Sequence, residues 1–238
     1  MKIRLDKYLA DMGKGTRSEV KKAISKGLVR VNNTVVKKPE TKLDTDVDSV
    51  LYNGETVGYA QFEYYMLNKP AGVISATEDR HEKTVVDLIT DKKRKDLFPV
   101  GRLDRDTEGL LLITNDGELA HRLLSPVKHV DKVYYAKIDG MVTEADVEAF
   151  QKGVDIGEEK PTRPARLRIL ISDEVSEIEL TIREGKFHQV KRMFHAVGKE
   201  VVYLKRLRMG TLVLDESLKT GAYRPLTEEE ITELCIQK

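Results

Sequence analysis

"GRLDRDTEGLLLITNDG", residues Gly101 to Gly117, places a carboxylate, Asp104, between Arg102 and Arg105 and then runs into five apolar or β-branched residues, Leu110 to Thr114. An apolar run without alternation reads as a strand covered on both faces, which requires a sheet with layers packed above and below it. "NDGELAHRLLSP" then turns into a helix that Pro126 stops. A charged cluster is therefore fixed at the edge of a rigid buried strand. Arg102 and Arg105 cannot both lie flat beside Asp104 on one strand, so at least one of them points elsewhere. An ionised carboxylate in this position suits nucleophilic or electrostatic work at a sugar carbon. A structural ion pair in a loop is the plainer alternative.

The segments on either side alternate between strand and helix without a regular βαβ rhythm. "FEYYMLNKPAGVIS" reads as strand, turn, strand, with Pro70 and Gly72 in the turn. "TVVDLIT" reads as a short helix or strand, and "DKKRKDL" as a charged loop. "KVYYAKI", "ARLRILIS", "EIELTIRE" and "VVYLKRLRMGTLVL" are strands. "TEADVEAFQKG" is a helix capped by Thr143 and closed by Gly153, "KFHQVKRMFHAVG" a helix with Val190, Phe194 and Val197 on one side, and "LTEEEITELC" a capped terminal helix. This pattern predicts an α+β fold on a mostly antiparallel mixed sheet with flanking helices.

The N-terminal end differs in charge and spacing. Of 41 Lys and Arg in the 238-residue chain, 11 fall in residues 1–38 against only Asp6, Asp11 and Glu19, while the whole chain carries a net charge of +1. A basic end on an acidic body points to a polyanion partner. Leu5, Tyr8, Leu9 and Met12 follow helical spacing. "TRSE", Thr16 to Glu19, is a capping box, and Gly27 is placed to end that second helix. Hairpins follow at "LVRVNNTVV" and "SVLYNGETV", with Asn32-Asn33 and Asn53-Gly54 as turns. Residues 1–59 resemble the small RNA-binding domain named after ribosomal protein S-four, with Asn33 where that family usually has Gly. The resemblance makes Arg17, Lys21, Lys22, Lys26 and Arg30 candidate RNA contacts, and leaves 60–238 as a second domain.

Composition narrows the function classes. No apolar run approaches the ~20 residues that cross a bilayer, and the charged N-terminus is not a signal peptide. Cys235 is the only cysteine, which excludes an intrachain disulfide, suits a reducing cytosol and reads as a semi-buried spare thiol. The five histidines do not pair with Cys, Asp or Glu at metal-ligand spacing. There is no phosphate loop, no GxGxxG after a strand and no GxSxG elbow. Neither a metal nor a cofactor is expected.

The quoted stretch is similar, nearly letter for letter, to the signature of pseudouridine synthases, specifically the RsuA branch that acts on small-subunit ribosomal RNA. "MLNKPAGVISAT", "HVDKVYYAKIDG" and "EGKFHQVKRMF" agree with it in the family's order, and the resemblance covers essentially the whole chain. It implies that Asp104 is the catalytic aspartate, that Tyr134 stacks on the target uracil, and that Lys191 pairs with the aspartate. Arg102 would contact the flipped nucleotide or its phosphate. A target base that leaves its stack needs an aromatic surface to offset the cost. Lys186, Arg192, Lys205, Arg206 and Arg208 form a second basic zone, with Lys186 and Arg192 as candidate RNA contacts. Two basic zones imply binding that weakens steeply with salt. His188 and His195 receive no catalytic role.

The resemblance thus implies a cytoplasmic, monomeric isomerase without a cofactor. It would convert a uridine of 16S rRNA, the family's uridine 516, in free RNA or a small-subunit assembly intermediate. A non-catalytic RNA-binding assembly factor is the alternative from another class, and a glycosidase-like enzyme that cleaves without rejoining is a third.

Overall fold

β1 (Lys2–Arg4) runs directly into α1 (Leu5–Asp11), where Leu5, Tyr8 and Leu9 are buried, as is Met12 at the C-cap. α2 (Arg17–Ser25) starts on the expected capping box: Thr16 accepts from the Glu19 N–H, and the Glu19 carboxylate accepts from the Thr16 N–H at 2.7 Å. β2 (Val29–Val31) and β3 (Thr34–Val35) form one hairpin. β4 (Lys42–Asp44) pairs with β1, and β5 (Val50–Tyr52) and β6 (Glu55–Val57) form the second hairpin. Asn32, Asn33, Asn53 and Gly54 all take positive φ, as tight turns matched to strand twist require. The resulting sheet, β3-β2-β5-β6, closes a small core with α1 and α2 around Tyr8, Leu9, Val20 and Ile24.

This computed structural model describes residues 1–236 and divides into two units, residues 1–63 with 90–97, and residues 64–89 with 98–238. The charged loop that the sequence assigned to the second domain therefore belongs to the first unit. Arg94 explains why. It is only 5% exposed and ion-paired with Asp96 and, at 3.4 Å, with Asp11, and it donates to the Ala60 carbonyl. Taking a guanidinium out of water is tolerable only beside such partners.

The second unit is built on a sheet ordered β11-β12-β10-β13-β9-β7-β15, with β8 on β9 and β14 on β13. Its elements in chain order are β7 (Tyr64–Lys69), β8 (Phe98–Pro99), β9 (Glu108–Thr114), α3 (Gly117–Leu124), β10 (Lys132–Asp139), α4 (Glu144–Lys152), β11 (Arg166–Ile171), β12 (Val175–Ile182), α5 (Gln189–Ala196), β13 (Glu200–Met209), β14 (Leu212–Val213), β15 (Tyr223–Pro225) and α6 (Glu228–Ile236). The sheet is antiparallel except where β13 meets β9. β9 is buried from Gly109 to Thr114, as its apolar run demands. α3 packs Leu119, Ala120 and Leu123 into the core around it. Phe150 of α4 meets Phe194 of α5 edge-on at 4.9 Å.

Three expectations give way. The strand expected after Pro70 is reduced to a single bridge, Ile74 to Thr84, and "TVVDLIT" forms turns. These residues are satisfied by backbone turn bonds, such as Asp87 N–H to the Thr84 carbonyl, and by the Asp87 carboxylate accepting from the Thr84 N–H, so no ladder is needed. Cys235 is exposed because the buried face of α6 is met by Leu234 instead.

Gly109 makes the parallel junction possible. Its φ is +97°, and a Cβ there would lie 2.3 Å from the Arg206 carbonyl oxygen. Both neighbours are backbone, so neither can swing aside. Gly109→Ala should cost at least about 2 kcal/mol, lowering Tm by roughly 4–8 °C. A melting curve within 1 °C of wild type (~0.3 kcal/mol) would contradict this account of the junction.

Candidate active site

The loop between Arg102 and Thr107 is clamped by the segment that follows β7. Ser75 Oγ accepts from the Leu103 N–H at 3.1 Å and donates to the Leu103 carbonyl at 2.8 Å. Gly72 N–H donates to the Arg105 carbonyl at 2.8 Å, and Thr107 N–H closes a turn onto the Asp104 carbonyl at 3.1 Å. Beneath them sits Lys69, fully buried, donating to the carbonyls of Thr107 (2.8 Å), Pro70 (3.0 Å) and Arg105 (3.2 Å). Burial pushes its ammonium down to about 8, with Asp106, Asp104 and Glu108 opposing the shift. "NKPAG" is thus the seat of the loop. In the sequence only a lysine at the end of a largely apolar strand marks this role.

Asp104 projects from the clamped loop with no hydrogen bond to its carboxylate from the described residues, and an ammonium and an imidazole approach its two oxygens. Lys191 Nζ lies 3.4 Å from Oδ2, and His188 Nε2 lies 3.6 Å from Oδ1. Lys191 spends its hydrogen bonds on Asp106 instead, at 2.6 and 2.8 Å, and this contact holds the Asp106 carboxyl below the usual carboxylate range. The sequence comparison had paired Lys191 with Asp104 alone. Asp106, two residues along the same loop, and His188 are additional neighbours that the family resemblance does not indicate.

α5 presents Lys191 because Val190, Met193 and Phe194 face the core. His188 precedes the helix in the left-handed region, at φ +48°, with the exposed Phe187 ring stacked on it at 3.8 Å. Gln189, nearly buried, fixes this approach: its side chain accepts from the Lys186 N–H and donates to Glu184. Tyr134, 8% exposed, comes from β10. Opposite it β13 bulges: Val133 faces Arg208 and Tyr134 faces Arg206, which leaves Leu207 as the extra residue.

Arg102, Asp104, Tyr134, Lys186 and His188 line one cavity of about 70 Å³, whose apolar walls include Leu103, Ile182 and Leu204. The cavity joins an open carboxylate and Arg102 on a loop, an aromatic wall on β10, and Lys186 and His188 on the approach to α5; Lys191, on α5 itself, lies outside the lining. Arg192 lies outside the lining: it bonds Glu158 at 2.7 Å and the Phe187 and Ile156 carbonyls. Lys186 also reaches Glu158, at 3.4 Å. Among the described residues, no group of three or more His, Cys, Asp or Glu is arranged to hold a metal.

In the first unit, Arg17 and Lys21 gather with Arg4 around the buried Asp6, at 3.7, 3.9 and 2.9 Å. Burial alone would raise the Asp6 pKa; Arg4 and Arg17 outweigh it and bring it below its ordinary value. Lys22, Lys26 and Arg30 are exposed, and Arg30 borders a cavity with Asn33 and Asn53.

A model of the RNA pseudouridylate synthase family matches residues 63–196, which contain every residue lining the Asp104 cavity except Leu204. The chain belongs to the RNA pseudouridylate synthase family. A second match, to the S4 domain, covers residues 3–48. Over 231 residues this pseudouridylate synthase is 50% identical to an uncharacterized RNA pseudouridine synthase, YtzG, of Bacillus subtilis, covering 96% of this chain and 97% of the relative. It is 40% identical over 234 residues to ribosomal small subunit pseudouridine synthase A of Haemophilus influenzae, covering 98% and 99%. A crystal structure of a pseudouridylate synthase, 40% identical, superposes with a TM-score of 0.68 over 98% of this chain and 99% of the other. No helix among the described residues is long and apolar enough to cross a membrane.

Proposed function

We propose that this enzyme converts one uridine of 16S rRNA, uridine 516, to pseudouridine, as a cytoplasmic monomer acting on free RNA or an assembling small subunit. The observation that carries the proposal is that Asp104 and Tyr134 line one cavity while the Lys191 ammonium, outside that lining, comes within 3.4 Å of Asp104. Full-length likeness to relatives named for the small ribosomal subunit supports the choice of RNA.

In this mechanism a carboxylate oxygen of Asp104 attacks C1′ of the flipped uridine. The Asp104–C1′ bond forms as the C1′–N1 bond breaks, and uracil departs with that electron pair. Tyr134 stacks on the detached ring, which turns until C5 faces the sugar. C5 then bonds to C1′ as the carboxylate leaves with the electron pair of the Asp104–C1′ bond; the C5 proton is removed with help from the Tyr134 hydroxyl and N1 takes up a proton, so the product is an isomer of the substrate. Arg102, on the cavity rim without a carboxylate partner among the described residues, holds the phosphate of the flipped nucleotide. Lys186 and the exposed basic side chains Arg17, Lys21, Lys22, Lys26 and Arg30 contact the RNA backbone, while Arg192, engaged by Glu158 and two carbonyls, holds the approach to α5 in place.

The experiment is to map chemically induced reverse-transcription stops along 16S rRNA from cells with and without this protein, and on RNA treated with it in vitro. One stop, at uridine 516, is expected to depend on it. Tight binding with no new stop anywhere would favour the non-catalytic assembly factor; free uracil among the products would favour cleavage without rejoining.

A further inference from the structure

Beside the catalytic cavity lies a second one, of about 320 Å³, lined by Arg122, Lys128, His129, Asp131, Arg183 and Arg208 with three smaller residues. Its walls are the ends of the same strands. Ile182 borders the catalytic cavity and Arg183, the next residue, borders the second; Tyr134 borders the first and Asp131, three residues earlier, the second. At ~3.3 Å per residue the two lie about 10 Å apart along β10, at the same end of the sheet but on opposite faces, since residues an odd number apart on a strand point to opposite sides; an RNA strand that rounds this end passes both.

Charge in this cavity is unbalanced. Its only carboxylate, Asp131, is engaged by Arg183 at 2.7 Å. Arg122, Lys128 and Arg208 have no carboxylate within 4.0 Å among the described residues. Arg122 donates to the Leu234 carbonyl, yet its buried Nε has no acceptor among the described residues. Arg208 donates only to the Gly210 carbonyl. Behind this wall are two more buried cations. Lys132 has its ammonium pushed down by burial and then by Arg206; Arg206 bonds the Leu110 carbonyl through Nε while its buried Nη2 goes unpartnered. Unpaired buried donors and a surplus of positive charge in a concave site focus a field that attracts an anion.

Resting on the RNA-modifying function proposed above, we infer that this second cavity is a phosphodiester site that holds the RNA backbone next to the flipped uridine. Arg122, Lys128 and Arg208 supply the contacts and Arg183 completes the wall. The site positions the strand so that the extruded nucleotide meets Asp104, and it reads no base.

The test is the salt dependence of binding to a 16S rRNA fragment, followed by fluorescence anisotropy between 50 and 300 mM salt (roughly the range in which such slopes are read). Lys128→Gln with Arg208→Gln should flatten the slope of log Kd against log salt by about 1.4, or about 0.7 per lost contact, weakening binding roughly 25-fold near 0.1 M salt. Lys128→Gln alone, at an exposed position, should flatten it by about 0.7 and guards against misfolding of the double variant. Lys152→Gln with Lys219→Gln removes the same charge from exposed positions outside the cavity and should leave the slope at its wild-type value. An unchanged slope in the cavity variants, or an equal change in both pairs, overturns the phosphodiester site. Pseudouridine formation by the wild-type enzyme, measured on the same RNA, is a separate readout, so failure of the catalytic proposal is seen independently of the slope.

Discussion

Asp104→Asn is expected to release no measurable tritium from RNA labelled at uridine C5, a loss on the order of 10³-fold or more, as when a nucleophile is removed. RNA affinity should stay within about twofold, because the change removes no phosphate contact. The surroundings of Asp104 make this a clean substitution. Asn is nearly isosteric, and the turn that carries the residue is closed by the backbone bond from Thr107 to the Asp104 carbonyl. Ser75 and Lys69 hold the loop on either side. The carboxylate itself supports no hydrogen bond that folding would miss, and Lys191 keeps its two bonds to Asp106. What disappears is a negative oxygen facing Lys191 at 3.4 Å and His188 at 3.6 Å. Asp106→Asn is the control. Asp106 is 71% exposed and outside the cavity lining, so its loss should cost less than about tenfold. Normal turnover by Asp104→Asn together with a dead Asp106→Asn would move the reacting oxygen two residues along the loop.

What the sequence made legible was local. The Thr16–Glu19 capping box, the Asn-rich turns and the buried β9 each depend on residues a few positions apart, so the pattern and its physical cause lie in one stretch of chain. Decisions that depended on distant partners were hidden. Nothing near Arg94 indicates that its guanidinium will be buried beside Asp11, and "DKKRKDL" read in isolation is an ordinary solvated loop. Arg192 stands in a basic motif that suggests RNA, yet Glu158, far away in sequence, occupies it. The catalytic candidates fared differently because a long motif with its order preserved carries distant information in a way composition cannot. Asp104 and Tyr134 do line one cavity, and Lys191, outside the lining, comes within 3.4 Å of Asp104, although no spacing rule links a loop to β10 and α5.

Lys69→Met should cripple the enzyme without touching the substrate. Three carbonyls, of Pro70, Arg105 and Thr107, would lose their donor inside a sealed site, and an unpaired buried acceptor costs ~1–3 kcal/mol. Two of those carbonyls belong to the loop that carries Asp104, so a shift of about 1 Å there should lower kcat on the order of 10²-fold. Titration offers a test that leaves the side chain in place. Below pH 8 the Lys69 ammonium has three N–H donors for three acceptors; once it loses its proton near pH 8 it has two, and one carbonyl is stranded. Wild-type kcat should therefore fall as pH rises through about 8, and Lys69→Met, already slow, should lack that limb. Global unfolding cannot imitate this decline. The folded protein releases the Lys69 proton near pH 8 while the unfolded chain keeps it until about 10.5, so across that window the unfolded state binds more protons and this group's contribution to stability rises with pH. Activity that falls while this contribution rises identifies a loosened loop; an alkaline limb that persists in Lys69→Met assigns the titration to another group.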